Sequence, residues 1–320
     1  MNRAVAEFGS AAKAGRVYRT IDEAVFRFLL RYQKRYLDAW VHTPKADYEP
    51  RRDAEPSPVE IRDTASRGLY RVSRYNFNTP VKTGYAVNDA AYGLVIDPRR
   101  RVRGTIVVLH GWMLRSELTL KAMGLYFAAR GYRCFLPVFP FHLKRRVRGT
   151  FDGQLMIGTD TRLMRLAFEQ ATAEVLHLIS FVRERYGHPC MIVGGSLGGL
   201  VASHVISKDG DLDRAYILVA GANLARSVMN VSLFNHLKEA FAKIGADPET
   251  TRVHLAETDP VMLAPVVPKD RIQIHGGLYD PVFDPESVGM LADAWGIEAH
   301  FHRCGHTTIF TRARSIFRDL

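Results

Sequence analysis

A serine among glycines is the first residue in this sequence to which chemistry can be assigned. Ser196 lies in Gly194-Gly195-Ser196-Leu197-Gly198-Gly199, directly after the apolar run Cys190–Val193. This is a G-x-S-x-G motif in a strand-turn-helix context, which is typical of an exposed nucleophile. The turn is strained and its backbones crowd together, so side chains at Gly194 and Gly198 are expected to clash. The alternative is a glycine-rich turn that only packs.

A serine hydroxyl needs a base to remove its proton and a carboxylate to orient that base. Asp280 follows the predicted strand Ile272–His275, and His306 follows the predicted strand Glu298–His302. Both loops are therefore expected at the same edge of a sheet, although only the fold can bring them to the serine. Asp284, four residues after Asp280, is a fallback for the acid.

Other chemistries are not favoured by the sequence. The three cysteines are too few for a disulfide framework and too far apart for a zinc motif. Cys304 lies two residues before His306, but it lacks a nucleophile turn and is predicted to be a packed side chain. No Lys-Ser or Lys-Thr follows the glycine run, so a phosphate loop is not predicted. We expect no metal and no cofactor, and no nucleic-acid-binding module is recognisable.

Strand-like and helical segments alternate from residue 105 onwards, which predicts an α/β fold with a mostly parallel central sheet and helices on both faces. The predicted strands of this part are Thr105–Leu109, Tyr132–Val138, Cys190–Val193, Ala215–Val219, Ile272–His275 and Glu298–His302. The clearest predicted helices are Ser116–Arg130 and Thr161–Tyr186. An antiparallel start is predicted from Tyr70–Phe77, Val81–Val87 and Tyr92–Ile96. Residues 222–262 interrupt the alternation with apolar residues at helical spacing, which fits either an inserted helical cap or a long crossover.

The N-terminal part is predicted to be a helical extension. Apolar residues recur at helical spacing from Val17 to Trp40, and Thr20 with Glu23 fits a capping box that starts the helix at Ile21. The opposite face is basic, so the helix either lies on an anionic membrane or packs on the main domain with a solvated face. A Pro-rich connector over residues 43–60 follows, and we divide the chain into 1–66 and 67–320.

The composition limits the class of protein. With 320 residues, of which 47% are hydrophobic, the chain can bury a large core, and disorder over most of its length is excluded. Its net charge is +11, so a negatively charged partner deserves consideration. The charged N-terminus is unlike a signal peptide, and no apolar run approaches the roughly 18 residues of a membrane span. We expect a cytoplasmic protein, at most peripherally bound to a membrane.

Residues 68–320 resemble the α/β-hydrolase fold superfamily, in particular its serine esterases and lipases. The resemblance lies in the order Ser…Asp…His, the glycine-flanked serine, the Gly-Leu-Tyr-Asp loop and the Gly-His loop. It implies an α/β-hydrolase fold in which Ser196 is the nucleophile, His306 is the general base and then acid, and Asp280 is the orienting carboxylate.

The same resemblance implies an oxyanion hole made of two backbone N–H groups. One belongs to Leu197, the residue after the nucleophile, and the other comes from the His110-Gly111-Trp112-Met113 loop after the first long parallel strand. We assign it to Trp112, with Met113 as the alternative. His110 is interpreted as a structural loop residue and not as a base.

A basic loop offers a candidate for substrate binding. Lys144, Arg145 and Arg146 follow the predicted strand Tyr132–Val138, and loops at such strand ends line the active sites of open α/β sheets. These residues either surround the pocket and attract an anionic substrate or form a solvated loop.

The function predicted from these residues is a cofactor-independent serine hydrolase that cleaves a carboxylic ester or related acyl bond through an acyl-enzyme. Esters are preferred over peptides on the strength of the apolar segment 222–262 and the single-domain length. Two alternatives stay open: a membrane-associated lipid acyl hydrolase or acyltransferase, and a non-catalytic binding protein of the same fold.

Overall fold

A computed structural model describes residues 12–39, 55–256 and 258–320 of the chain. The described strands form a nine-stranded sheet in the order β1-β2-β3-β5-β4-β6-β7-β8-β9. The strands are β1 Glu60–Arg67, β2 Tyr70–Asn78, β3 Ala90–Pro98, β4 Gly104–Leu109, β5 Tyr132–Val138, β6 Cys190–Gly195, β7 Arg214–Leu218, β8 Ile272–Gly277 and β9 Ala299–His302. The first three strands pair antiparallel, β3 pairs antiparallel with β5, and the strands from β5 to β9 in the sheet are parallel. The predicted α/β architecture with a mostly parallel sheet is confirmed.

Helices cover both faces of the sheet, as predicted. The described helices are α1 Ala12–Gln33, α2 Glu117–Ala128, α3 Thr161–Tyr186, α4 Leu197–Ile206, α5 Leu224–Asn230, α6 Asn235–Lys243, α7 Pro248–Ala256, α8 Pro285–Trp295 and α9 Ala313–Ile316. Strand β4 shows how the faces are divided, because successive side chains point to opposite sides. Its Ile106 and Val108 pack in the same buried cluster as residues of α2, whereas Val107 and Leu109 pack with α3 and α4.

The antiparallel part of the sheet differs from its prediction in two places. Residues 81–87 do not form a strand: the chain there is irregular and ends in the short 3-10 helix Ala86–Asn88. Thr79 accounts for this, since its hydroxyl hydrogen-bonds both the N–H and the carbonyl of Val81 and turns the chain locally. The sheet gains β1 instead, which lies almost entirely before the boundary that we placed after residue 66.

Helix α1 begins earlier than predicted, at Ala12 and not at Ile21. Thr20 is not a cap, because it lies inside the helix and donates its hydroxyl to the carbonyl of Arg16, four residues back, at 2.8 Å. The regular helix ends at Gln33 and continues as a 3-10 helix, Lys34–Ala39. Trp40 and most of the connector 43–60 lie outside the described residues.

Only part of the predicted apolar stripe lies on the buried face of α1 and of the 3-10 helix that continues it, where Leu29, Tyr32 and Tyr36 pack against the core. Val17, Ile21 and Phe28, which belong to the predicted apolar stripe, are 59%, 40% and 58% exposed. The buried face carries Asp22, Phe26 and Gln33. The helix therefore packs on the main domain through a face that includes two polar side chains.

Residues 222–262 form a series of short helices between β7 and β8. Asp259 holds the start of this segment, since its carboxylate accepts from the N–H groups of Asn223 and Leu224. Within the described residues, no helix is long and apolar enough to cross a membrane.

Candidate active site

Ser196 lies in a strained turn between β6 and α4. Its φ of 54° and ψ of −122° are unusual for a residue with a side chain. A Cβ atom on Gly194 would collide with the carbonyl of Gly198, and one on Gly198 would collide with the carbonyl of Leu109. The predicted clash at both glycines is confirmed, and the turn leaves the Ser196 side chain at the amino end of α4, where the helix dipole favours negative charge.

The serine, the histidine and the aspartate predicted to act together are in contact. Nε2 of His306 lies 3.0 Å from Oγ of Ser196. Nδ1 of His306 lies 2.9 and 3.1 Å from the two carboxylate oxygens of Asp280. The strands β8 and β9 are neighbours in the sheet, so the loops that follow them meet beside the serine turn.

Asp280 and His306 are both shielded from solvent, and their surroundings shift their acidities. Burial raises the pKa of Asp280, against the opposing effects of His306 and of hydrogen bonds from the N–H groups of Val282 and Phe283. Burial alone would lower the pKa of His306, but the Asp280 carboxylate, with a contribution from Asp22, raises it above 6.5 overall. The raised pKa makes His306 a stronger proton acceptor than an ordinary imidazole.

Asp284, the fallback acid, has a different position. Its carboxylate caps α8 by accepting from the N–H of Ser287 at 2.9 Å and forms an ion pair with Arg226. Asp280, and not Asp284, is the carboxylate in contact with His306.

The loop after β4 lies directly against the serine turn. A Cβ atom built on Gly111 would be 3.7 Å from Cβ of Ser196, so this loop can present N–H groups to a bound carbonyl. The indole of Trp112 stacks on Phe234 at a centroid distance of 5.4 Å and donates its Nε1–H to the carbonyl of Gly153 at 2.9 Å. Together with Leu197, Trp112 and Met113 line the cavity in front of Ser196.

His110 has no free nitrogen for catalysis. Its Nε2 accepts from the N–H of Phe139 at 3.0 Å, and its Nδ1 lies 2.8 Å from the carbonyl of Gly111. Burial lowers its pKa well below the usual value, so the ring is a neutral structural group.

Cys304 is not a competing nucleophile. Burial raises the pKa of its thiol to about 12, which makes it a poor nucleophile.

A cavity of about 430 Å³ opens beside Ser196 and His306. Its lining is dominated by apolar side chains from α1, the loop after β4, helix α4, the segment 222–262 and the loop before α8: Phe26, Leu29, Met113, Leu200, Leu224, Leu233, Phe234, Val282 and Phe283. The charged side chain that lines it, among the described residues, is Arg115, whose guanidinium lies over the ring of Tyr32 at 4.1 Å. The volume and the apolar wall suit an organic acyl group with few polar atoms.

The basic loop does not surround this cavity, so that hypothesis is corrected. Arg145 is 1% exposed and pairs with both carboxylate oxygens of Glu174 at 2.6 and 2.7 Å. Arg146 donates to the carbonyl of Thr150, and the ammonium of Lys144 lies over the ring of Tyr92. None of these three basic residues lines the cavity.

The site includes α1, which sequence reasoning did not place there. The carboxylate of Asp22 accepts from the N–H groups of His306 and Thr307 at 2.7 and 2.9 Å. Phe26 and Leu29 line the cavity. The signal in the sequence was Asp22 itself, which precedes Phe26 by four residues and Leu29 by seven and so shares their helix face. Within the described residues, no group of three or more histidine, cysteine or carboxylate side chains could hold a metal ion.

The family model described as the alpha/beta hydrolase family matches residues 106–313, more than half of the chain. None of the curated proteins compared matches the sequence significantly.

Several solved structures have a fold similar to that of this chain. An acetyl xylan esterase from Paenibacillus sp. R4 has a TM-score of 0.63 at 15% identity, over 83% of this chain and 88% of that one. Acetyl xylan esterase 1 from Thermoanaerobacterium sp. JW/SL YS485 has a TM-score of 0.58 at 15% identity, over 91% and 93% of the two chains. A cold-adapted esterase from an Arctic intertidal metagenomic library has a TM-score of 0.52 at 13% identity, over 79% and 94%. At these identities the likeness establishes the shared fold.

Proposed function

We propose, because the chain belongs to the alpha/beta hydrolase family, that it is a serine hydrolase that cleaves carboxylic esters through an acyl-enzyme. The observation that carries the proposal is the continuous contact from Ser196 through His306 to Asp280. Three side chains that only packed together would not need to be a serine, a histidine and a carboxylate at these distances and in this order.

In the first half of the proposed reaction, the ester carbonyl sits against the Ser196 turn. His306 Nε2 removes the proton from Oγ as Oγ attacks the carbonyl carbon, and the carbonyl oxygen becomes an oxyanion. The backbone N–H groups of Leu197 and Trp112 donate to that oxyanion. Asp280 holds the ring of His306 in place and stabilises its positive charge.

In the second half, the bond between the carbonyl carbon and the alkoxy oxygen breaks. His306 gives its proton to the leaving alcohol, and Ser196 carries the acyl group. Water then attacks the acyl-enzyme with His306 as the base, which releases the acid and restores the serine. The apolar lining of the cavity favours esters with an apolar acyl chain.

The test is hydrolysis of 4-nitrophenyl esters of increasing acyl length by the purified protein, with Ser196→Ala as the matched control. We expect turnover that is lost in the variant while its circular dichroism spectrum is unchanged. A folded wild-type protein that binds esters without turnover would instead favour the non-catalytic binding protein.

Action on lipid at an anionic membrane is a second candidate, favoured by one observation. Phe28 and Phe310 line the cavity yet are 58% and 42% exposed, and the cationic Arg115 lies beside Phe28. Deleting α1 would be a confounded test, because the helix also contacts His306 and Thr307. Co-sedimentation with phosphatidylserine vesicles, compared between the wild type and Phe28→Ser, separates membrane binding from catalysis. A cytoplasmic location stays a prediction.

A further inference from the structure

Helix α1 carries a buried carboxylate that does not serve the helix itself. Asp22 is fully buried. Its Oδ2 accepts from the N–H of His306 at 2.7 Å, and its Oδ1 accepts from the N–H and the hydroxyl of Thr307 at 2.9 and 2.6 Å. All three donors belong to the loop that carries His306.

Burying a carboxylate is costly unless hydrogen bonds replace those it made with water. An apolar side chain would pack this face of α1 without that cost, so the carboxylate is explained by what it binds. Hydrogen bonds to a charged acceptor are the stronger kind, and two of these three fix backbone atoms. They hold the backbone at the residue whose ring faces Ser196.

The loop packs closely against Asp22. A Cβ atom on Gly305 would collide with the Asp22 carboxylate, so a side chain at this position would force the loop and the carboxylate apart. Tyr18, one helical turn earlier, stacks on Tyr279 at a centroid distance of 5.7 Å, next to the acid Asp280. The helix thus fixes the loops of both the base and the acid.

Gln33 extends the same arrangement to the other side of the site. Its side-chain amide contacts Sδ of Met113 at 3.3 Å, in the loop after β4, and the carbonyl of Leu233 at 3.4 Å. Helix α1 lies outside residues 106–313, the part of the chain that matches the family model. A segment outside the matched part of the chain therefore contacts the loops that build the site.

We propose that Asp22 is a positioning residue for His306: its carboxylate fixes the backbone of the His306–Thr307 loop so that Nε2 meets Ser196 Oγ. The proposal rests on the proposed function. Under this proposal α1 helps to position the catalytic histidine and is more than an extension that packs on the main domain.

The charge of Asp22 affects a measurable quantity, the pKa of His306, which would not change if Asp22 only supported the fold. Asp280 from the loop after β8 and Asp22 from α1 are the charged groups that act on His306 among the described residues, and both raise its pKa. Replacing the Asp22 carboxylate by an amide removes one of the two. The pKa of His306 then falls, so the neutral, active base persists to lower pH.

The experiment measures the rate at which a fluorophosphonate probe labels Ser196 as a function of pH, in the wild type and in Asp22→Asn. We expect labelling to slow by about 10- to 100-fold because the base is misplaced. We also expect the acidic limb of the profile to move to lower pH. Thr307→Val removes one uncharged donor, so it should slow labelling less and leave the acidic limb in place.

Tyr32→Phe is the matched control on the same helix. It removes the 2.8 Å hydrogen bond from Tyr32 to Asp152, which anchors α1 away from His306, and should leave the labelling rate within about twofold. The positioning role would be overturned if folded Asp22→Asn were labelled at the wild-type rate and kept the wild-type acidic limb. Absence of labelling in the wild type would overturn the proposed function instead. If Asp22→Asn fails to fold, equal effects of Thr307→Val and Tyr32→Phe would overturn the positioning role.

Discussion

Asp280 and Asp22 are two buried carboxylates that reach the same histidine loop in different ways. Asp280 bonds the ring of His306 and lies 26 residues before it, in the loop after the neighbouring strand. Asp22 bonds the backbone of His306 from a helix 284 residues away in the chain. One carboxylate supplies charge and orientation to the reacting ring, and the other determines where the ring is held.

The surroundings of the two carboxylates match this division. Asp280 accepts two backbone N–H groups of its own loop, from Val282 and Phe283, so its position is set locally. Asp22 accepts its hydrogen bonds from a different element, the loop that carries His306, so the positions of Asp22 and of that loop depend on each other. We infer that loss of Asp280 damages the chemistry and loss of Asp22 damages the geometry.

The largest expected effect is that of Asp280→Asn. The amide would place the wrong tautomer of His306 against Ser196 and could not stabilise the imidazolium, so we expect kcat for ester hydrolysis to fall by about 10⁴-fold. Steady-state kinetics with circular dichroism as the folding control measure this. A fall no larger than that of Asp22→Asn would remove the distinction between the two carboxylates.

The next largest effect is expected for Gly305→Ala, which forces the loop away from Asp22. The added methyl group meets the Asp22 carboxylate, so we expect labelling of Ser196 to slow by about 10- to 100-fold. The double variant Gly305→Ala with Asp22→Ala should be no slower than Asp22→Ala alone, because the clash is gone. Strictly additive effects would contradict a direct contact between these positions.

A smaller effect, on selectivity, is expected for Leu29→Ala. Leu29 lines the cavity from α1, so shortening it makes room for a longer acyl chain. We expect the kcat/KM ratio of long over short esters to rise by about tenfold. Val17→Ala is the matched control, since Val17 is exposed on the same helix and does not line the cavity. An equal change in both variants would show that α1 does not form part of the acyl pocket.

The smallest effect is expected for Asp284→Asn. Asp284 caps α8 and pairs with Arg226, and it makes no contact with His306. The variant should therefore keep kcat/KM within about twofold of the wild type while losing a little thermal stability. A loss as large as that of Asp280→Asn would reverse the assignment of the acid.

The parts of the site that sequence predicted are those that local rules determine. Ser196 stands in a turn whose glycines leave few conformations, and Asp280 and His306 follow strands of a parallel sheet, whose carboxyl ends meet at one edge. The strand Tyr132–Val138, the helix Thr161–Tyr186 and most of β8, predicted as Ile272–His275, were found for the same reason, since their apolar patterns are strong and local.

The parts that sequence missed depend on partners far away in the chain. Arg145 stands in a basic run that suggests a solvated or substrate-binding loop, yet Glu174 on α3 draws it into the core. Asp22 was assigned no role from the sequence because the N–H groups that it binds are 284 and 285 residues away. Periodicity of apolar residues cannot identify a buried face that is partly polar, so the predicted stripe on α1 included Val17, Ile21 and Phe28, which are exposed.

The central claim is that His306 activates Ser196. It is tested most directly by the pH dependence of fluorophosphonate labelling, with the modified residue identified by peptide mass spectrometry. The account predicts a single adduct on Ser196, absent from Ser196→Ala, and a labelling rate that rises with pH through an inflection above 6.5 because the carboxylates raise the pKa of His306. A folded protein that is unmodified at Ser196 across the pH range, or labelling whose rate shows no such inflection, would contradict it.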